Sequence, residues 1–177
     1  PDFQQRNWTL AYRAVEKLLA LDKKPPLPKE ALKKSVHITI PGRLEKCNVD
    51  GVNIIFDVAH NPQKIRALID SLRKIYPEKK PVFVAAFGQN KQLSLAKSLA
   101  MIDNLAQLTY ATTFSADYGK NHRNVPPEAI RRVMKSAVEI EYSPDRALTK
   151  AIEKAQQLDT YVVVAGSFYL VSEFAAR

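Results

Sequence analysis

The sequence predicts an α/β fold: a mainly parallel Rossmann-like sheet flanked by helices, with an N-terminal hairpin and a preceding helix. Two observations predict it. From residue 52 onward, short apolar runs alternate with segments of ten or more residues that read as helices, which is the pattern of βαβ crossovers. The runs Val82-Phe83-Val84-Ala85-Ala86 and Val162-Val163-Val164-Ala165 are apolar throughout, as strands covered on both faces must be.

The elements follow in order. Gln4 to Leu21 reads as one amphipathic helix, with Trp8, Ala11, Tyr12, Val15, Leu18 and Leu19 on one face. Asp22-Lys23-Lys24-Pro25-Pro26-Leu27-Pro28 holds too many prolines for helix or central strand and reads as a linker. We therefore divide the chain into residues 1–28, the end of a preceding domain plus linker, and 29–177, the main domain. A helical turn at 29–34 and a strand from Val36 to Ile40 come next. Arg43 to Val49 and Val52 to Val58 flank Asp50-Gly51, a two-residue hairpin turn. Four strand–helix pairs are then expected: strand Ile54–Asp57 with helix Pro62–Ile75, strand Val82–Phe87 with helix Leu93–Ile102, strand Gln107–Thr112 with helix Pro126–Lys135 beyond a long polar loop, and strand Val138–Glu141 with helix Pro144–Gln157. Strand Tyr161–Ala165 and a helix from Phe168 close the chain.

Composition narrows the function classes. The chain has 177 residues, 46% apolar and 25% charged, values of a globular domain able to bury a core without staples. One cysteine, Cys47, excludes an internal disulfide and a Cys-based metal cluster. No stretch approaches the ~18 apolar residues of a membrane span, and the opening residues are polar and include an acid, unlike a signal peptide. A cytoplasmic protein without a membrane partner is expected. The chain starts at proline, which suggests a fragment of a longer protein. Net charge is 27 minus 18, or +9, which suits nucleic acid or a small anionic ligand. The basic runs carry no interleaved aromatic residues, so they form no base-stacking platform, and nucleic acid is not the expected partner.

In parallel sheets, ligands bind outside the carboxyl ends of the strands. That rule selects Asp57 to Asn61, Gly88 to Lys91, Thr112 to Asp117 and Gly166-Ser167. In Asp57-Val58-Ala59-His60-Asn61-Pro62, Asn61 is a good N-cap and Pro62 a good first helical residue. His60 then lies in a tight turn beside amide groups that attract anions; the alternative is a plain helix start with Asp57 as a turn former. In Pro41-Gly42-Arg43, Arg43 is either a bidentate phosphate ligand or an exposed strand-end arginine. Ser167 is either near an anion or an ordinary N-cap, and Lys91 is a weaker candidate. The five glycines form no G-x-x-x-x-G-K-[ST] or G-x-G-x-x-G pattern, and His37, His60 and His122 are too scattered for a metal site.

Pro41-Gly42-Arg43-Leu44-Glu45, the Asp57–Pro62 run and Val163-Val164-Ala165-Gly166-Ser167-Phe168-Tyr169-Leu170-Val171, in this order and spacing, resemble the Mur ligase superfamily. Within it they are most similar to the folylpolyglutamate synthase/dihydrofolate synthase branch. The resemblance implies the C-terminal glutamate-ligase domain of an ATP- and magnesium-dependent amide ligase. Its substrates would be ATP, glutamate and folate or dihydropteroate, in folate biosynthesis and one-carbon metabolism. Its partners would be the enzyme's own N-terminal and central domains, the latter supplying the phosphate loop and magnesium ligands and ending in the helix of residues 1–28. By resemblance, Asn7 contacts the adenine end of ATP, Arg43 the phosphates and Asp57 the ribose, while His60, Ser167 and Lys91 lie near the phosphates or the glutamate. The resemblance assigns no catalytic and no metal-ligating residue to this chain, which alone is expected to be inactive. The chain departs from the family pattern at Lys91-Gln92, where many relatives carry Lys-Asp, and in the loop from Phe114 to Val125. Two rivals remain: a cell-wall ligase acting on a UDP-sugar peptide, and a non-catalytic nucleotide- or anion-binding module.

Overall fold

A computed structural model describes residues 2–36, 38, 40–115 and 123–175; the side chains of residues 2, 91, 92 and 175 fall outside this set. The chain forms two compact units, Pro1–Ile40 and Pro41–Arg177.

The first unit contains α1 (Asp2–Leu21) and α2 (Lys29–Val36). Half-buried Trp8, Tyr12, Glu16 and Leu19 form the covered seam of α1, at helical spacing. The Trp8 indole N–H donates to Ser35 Oγ at 2.9 Å. That bond ties the far end of α2 to α1, which explains why residues 29–36 cluster with the first unit. Among the described residues of the stretch from Val36 to Ile40, none lies in the expected strand. Val36 closes α2, and residues 38 and 40 lie outside any strand. Val36, Ile38 and Ile40 alternate like strand residues but are 62%, 67% and 49% exposed, so no buried face fixes them as a strand. His37 and Thr39 lie outside the described residues.

The second unit is built on a six-stranded sheet of order β1-β2-β6-β3-β4-β5. Its strands are β1 (Glu45–Val49), β2 (Val52–Asp57), β3 (Val82–Ala85), β4 (Leu108–Ala111), β5 (Val138–Ile140) and β6 (Val162–Ala165). β1 and β2 pair antiparallel; every other pairing is parallel. Asp50 and Gly51 both take positive φ, 51° and 83°, the hairpin geometry that matches strand twist. Between the strands run α3 (Pro62–Ile75), α4 (Gln92–Asp103), α5 (Pro127–Val133) and α6 (Pro144–Gln157), and α7 (Phe168–Ala175) ends the chain.

Side chains alternate across the sheet with period two. Ile54, Val82, Val84, Val162 and Val164 pack with Ala147, Ala151 and Ala155 of α6 and with Leu170 and Val171 of α7. The intervening Ile55, Phe83, Ala85 and Val163 are fully buried as well, and the pleat turns them to the opposite face. The strand order reverses around β6: the β2–β3 crossover passes it on the way out, and α6 returns the chain to it. The carboxyl ends of β2, β6 and β3 therefore lie side by side at a topological switch point. Among the described residues, no helix is long and apolar enough to cross a membrane.

Candidate functional site

Asp57 ends β2 beside Ala165 of β6, and Glu45 of β1 pairs with Phe56. The turn before β1 is thereby brought onto the end of β2. Arg43 does not open a strand, as the sequence suggested; it sits in this turn, two residues before β1. The turn is tight because Gly42 and Leu44 both take positive φ, 67° and 49°. Glu45 Oε2 accepts from the Gly42 amide at 2.7 Å, and the Gly42 carbonyl accepts from Val58 N at 2.8 Å. A Cβ on Gly42 would lie 2.8 Å from Val58 Cγ1, so glycine permits the close approach as well as the turn.

Asp57 is buried at 6% exposure. Its Oδ2 accepts from Leu44 N at 2.9 Å and its Oδ1 from Ala59 N at 2.8 Å. Burial pushes its carboxyl up from the ordinary value; the two amides and the charges of Arg43 and Lys64 oppose the rise without cancelling it. The Ala59 carbonyl in turn accepts from Gly166 N at 2.9 Å. Gly166 has φ 108°, and a Cβ there would lie 2.5 Å from the Ala86 carbonyl oxygen. The turns at 42–44, 58–61 and 166–167 are thus knitted together by backbone bonds and by one carboxylate.

Half-buried His60 places Nδ1 2.8 Å from the Val58 carbonyl. A carbonyl only accepts, so Nδ1 carries the proton in this pair. His60 Nε2 lies 3.5 Å from Lys64 Nζ, one turn into α3. Asn61 caps that helix, its Oδ1 accepting from Lys64 N at 3.0 Å, with Pro62 in the first turn. Buried Ser167 accepts from Tyr169 N at 3.1 Å and so opens α7 as an ordinary N-cap does.

Of the expected site residues, Arg43, Asp57, His60 and Ser167 come together on these three turns. Asn7 is exposed on α1 in the first unit. Lys91 ends a short 3-10 turn, Gln89–Lys91, and its side chain lies outside the described set. Lys64 escaped sequence reasoning; its position four residues after His60, on one face of a capped helix, was the available signal. Asn124 escaped as well. Its side chain spans both backbone groups of Phe114, accepting from N and donating to O at 2.9 Å each. It closes the base of the loop after β4 beside Gly88, with which it forms a β-bridge. Of that loop, residues 116–122 lie outside the described residues, Asp117 and His122 among them.

The edge therefore offers a guanidinium, an ammonium, an imidazole and two helix N-termini, a set suited to anions. Among the described residues, no group of three or more His, Cys, Asp or Glu side chains could hold a metal ion.

Comparison with known proteins agrees with this architecture. A family model described as "Mur ligase, glutamate ligase domain" matches residues 42–168, and the chain belongs to that family. Its relatives include the folylpolyglutamate synthase of Lacticaseibacillus casei, 24% identical over 172 residues, covering 97% of this chain and 37% of that protein. The UDP-N-acetylmuramyl-tripeptide synthetase of Latilactobacillus sakei is 29% identical over 133 residues, covering 73% of this chain and 26% of that protein. Among solved structures, the folylpolyglutamate synthase of Mycobacterium tuberculosis complexed with ADP and AMPPCP superposes with TM-score 0.73 at 22% identity, over 93% of this chain and 37% of that one. The bifunctional folylpolyglutamate synthase/dihydrofolate synthase of Yersinia pestis complexed with AMPPNP and Mn gives 0.71 at 23%, over 86% and 35%. The chain spans between 26% and 37% of each of these proteins.

Proposed function

We propose that this chain is the C-terminal domain of an ATP-dependent amide ligase that adds glutamate to folate or dihydropteroate. The observation that carries the reading is the gathering of Arg43, His60 and Ser167 on three interlocked turns at the sheet's switch point, with Lys64 beside His60 in the first turn of α3. In the reaction, a substrate carboxylate attacks the γ-phosphorus of ATP, the bond to the bridging oxygen breaks and ADP leaves. The glutamate amine then attacks the acyl phosphate, the C–O bond to phosphate breaks, and the amine proton passes to a base. Magnesium, which neutralises phosphate charge in such steps, is assigned to a central domain outside this sequence. Here Arg43 and Lys64 orient the phosphates or the glutamate carboxylates, and amide N–H groups at the starts of α3 and α7 donate to anionic oxygens. Asn7 at the adenine and Lys91 near the glutamate stand as proposals by resemblance.

The test is glutamate-dependent phosphate release by the parent polypeptide with ATP and either folate or dihydropteroate. Activity is expected there and none from the 177-residue chain alone. Phosphate release from the chain alone contradicts the assignment. The Latilactobacillus sakei relative favours a second reading, amino-acid addition to a UDP-sugar peptide. Turnover of that substrate with neither folate nor dihydropteroate accepted would select it.

A further inference from the structure

We propose that the helix layer of α3, α4 and α5, on the face of the sheet opposite α6, is a docking surface for an acidic segment of a partner protein.

The two helix layers differ in charge. α3 carries Lys64, Arg66, Arg73 and Lys74 against Asp70, α4 carries Lys97 against Asp103, and α5 carries Arg131 and Arg132 against Glu128. Seven minus three is +4 for this layer. α6 and α7 carry Arg146, Lys150 and Lys154 against Asp145, Glu153 and Glu173, which sums to zero. Two acids of the basic layer already serve the fold. Asp103 accepts from the Lys135 and Ser136 amides, and Glu128 accepts from the Tyr142 hydroxyl. α4 packs against both α3 and α5. Exposed Arg66 and Arg73 share one side of α3, exposed Arg131 and Arg132 lie on α5, and exposed Ala96, Lys97 and Ala100 of α4 lie on the helix between them. Two basic ridges thus flank a low middle helix.

Charge selects the occupant. A second copy has no acidic layer to offer: its α3–α5 layer repels, and its α6–α7 layer is neutral. Nucleic acid fits poorly, because α3, α4 and α5 contain no aromatic residue on which a base could stack. Exposed Asp70, between Arg66 and Arg73 on α3, would also face a phosphate backbone that is negative throughout. A polypeptide can set a cation against Asp70 and carboxylates against the arginines, so that each charge meets its opposite.

The experiment titrates the 177-residue chain with poly-L-glutamate at about 0.15 M ionic strength, where exposed charges more than about 8 Å apart are largely screened. The amide shifts should fall on residues 66–74, 96–100 and 131–135. Shifts confined to residues 42–44 and 58–61, or no binding, overturn the proposal, and this map needs no variant to fold. Arg73→Glu with Arg132→Glu should weaken binding at least about tenfold. Lys17→Glu with Lys154→Glu lowers net charge equally but should weaken it less than about threefold. Equal losses in the two pairs would mean attraction by net charge alone and would overturn a defined surface. Tighter binding of double-stranded DNA or of phosphatidylserine vesicles than of poly-L-glutamate, with the same dependence on Arg73 and Arg132, would overturn the choice of an acidic protein.

Discussion

Gly166 approaches Ala86 so closely that a Cβ would lie 2.5 Å from the Ala86 carbonyl oxygen. The same residue donates its N–H to Ala59, so the close approach joins the end of β6 to the His60 turn. Its φ of 108° is nearly closed to other residues. Gly166→Ala should therefore destabilise the domain by at least about 2 kcal/mol, from backbone strain and overpacking together. Urea unfolding measures this, and an unchanged midpoint would mean that the edge is not packed as described.

Glu141, just beyond β5, gives a pH signature. Lys150 Nζ lies 2.7 Å and Arg146 NH2 3.0 Å from its oxygens. The Lys150 hydrogen bond first, then the Ser143 amide and Arg146, hold its carboxyl down at about 2. A depressed carboxyl stabilises the fold above its unfolded value and loses that contribution as pH falls towards the folded one. Wild type should exceed Glu141→Gln in urea midpoint at neutral pH, and the gap should close as pH drops from the ordinary 4.5 towards 2. A gap that stays constant across that window contradicts the assignment.

Thr109 is fully buried, and its hydroxyl has no hydrogen-bond partner among the described residues. Phe83 and Val138 flank it in register. Thr109→Val should raise stability by about 1 kcal/mol, because it removes a desolvated hydroxyl and keeps the shape. A lower thermal midpoint in the variant would show that the hydroxyl is satisfied in solution.

Asn124 presents both an acceptor and a donor to Phe114. Asn124→Asp keeps the acceptor but turns a carboxylate oxygen towards the Phe114 carbonyl. It should cost at least as much as Asn124→Ala, about 1 kcal/mol or more, and both should speed exchange at the Phe114 amide. An Asp variant as stable as wild type would remove the proposed closure.

The hydrophobic code made the sheet legible. Val82–Ala85 and Val162–Ala165 are strands because every position is buried, and Asn61-Pro62 marked the start of α3. Val36 to Ile40 misled because alternation identifies a strand only where a partner face exists to bury it. The sequence reads Arg43 as a strand residue because a left-handed Leu44 leaves no compositional trace; its conformation follows from a bond to Asp57, far along the chain. Asn124 leaves no trace either, since its role depends on which segments the fold brings together, whereas Lys64 is legible from its helical spacing to His60.

Arg43, His60, Lys64 and Ser167 are proposed to form one anion-binding edge. The most direct measurement is an NMR titration of the 177-residue chain with inorganic tripolyphosphate. The largest amide shifts should cluster at residues 42–44, 58–64 and 166–169, and Arg43→Ala should weaken binding by about tenfold. Shifts spread over the lysine-bearing surface, with no loss in Arg43→Ala, would contradict it.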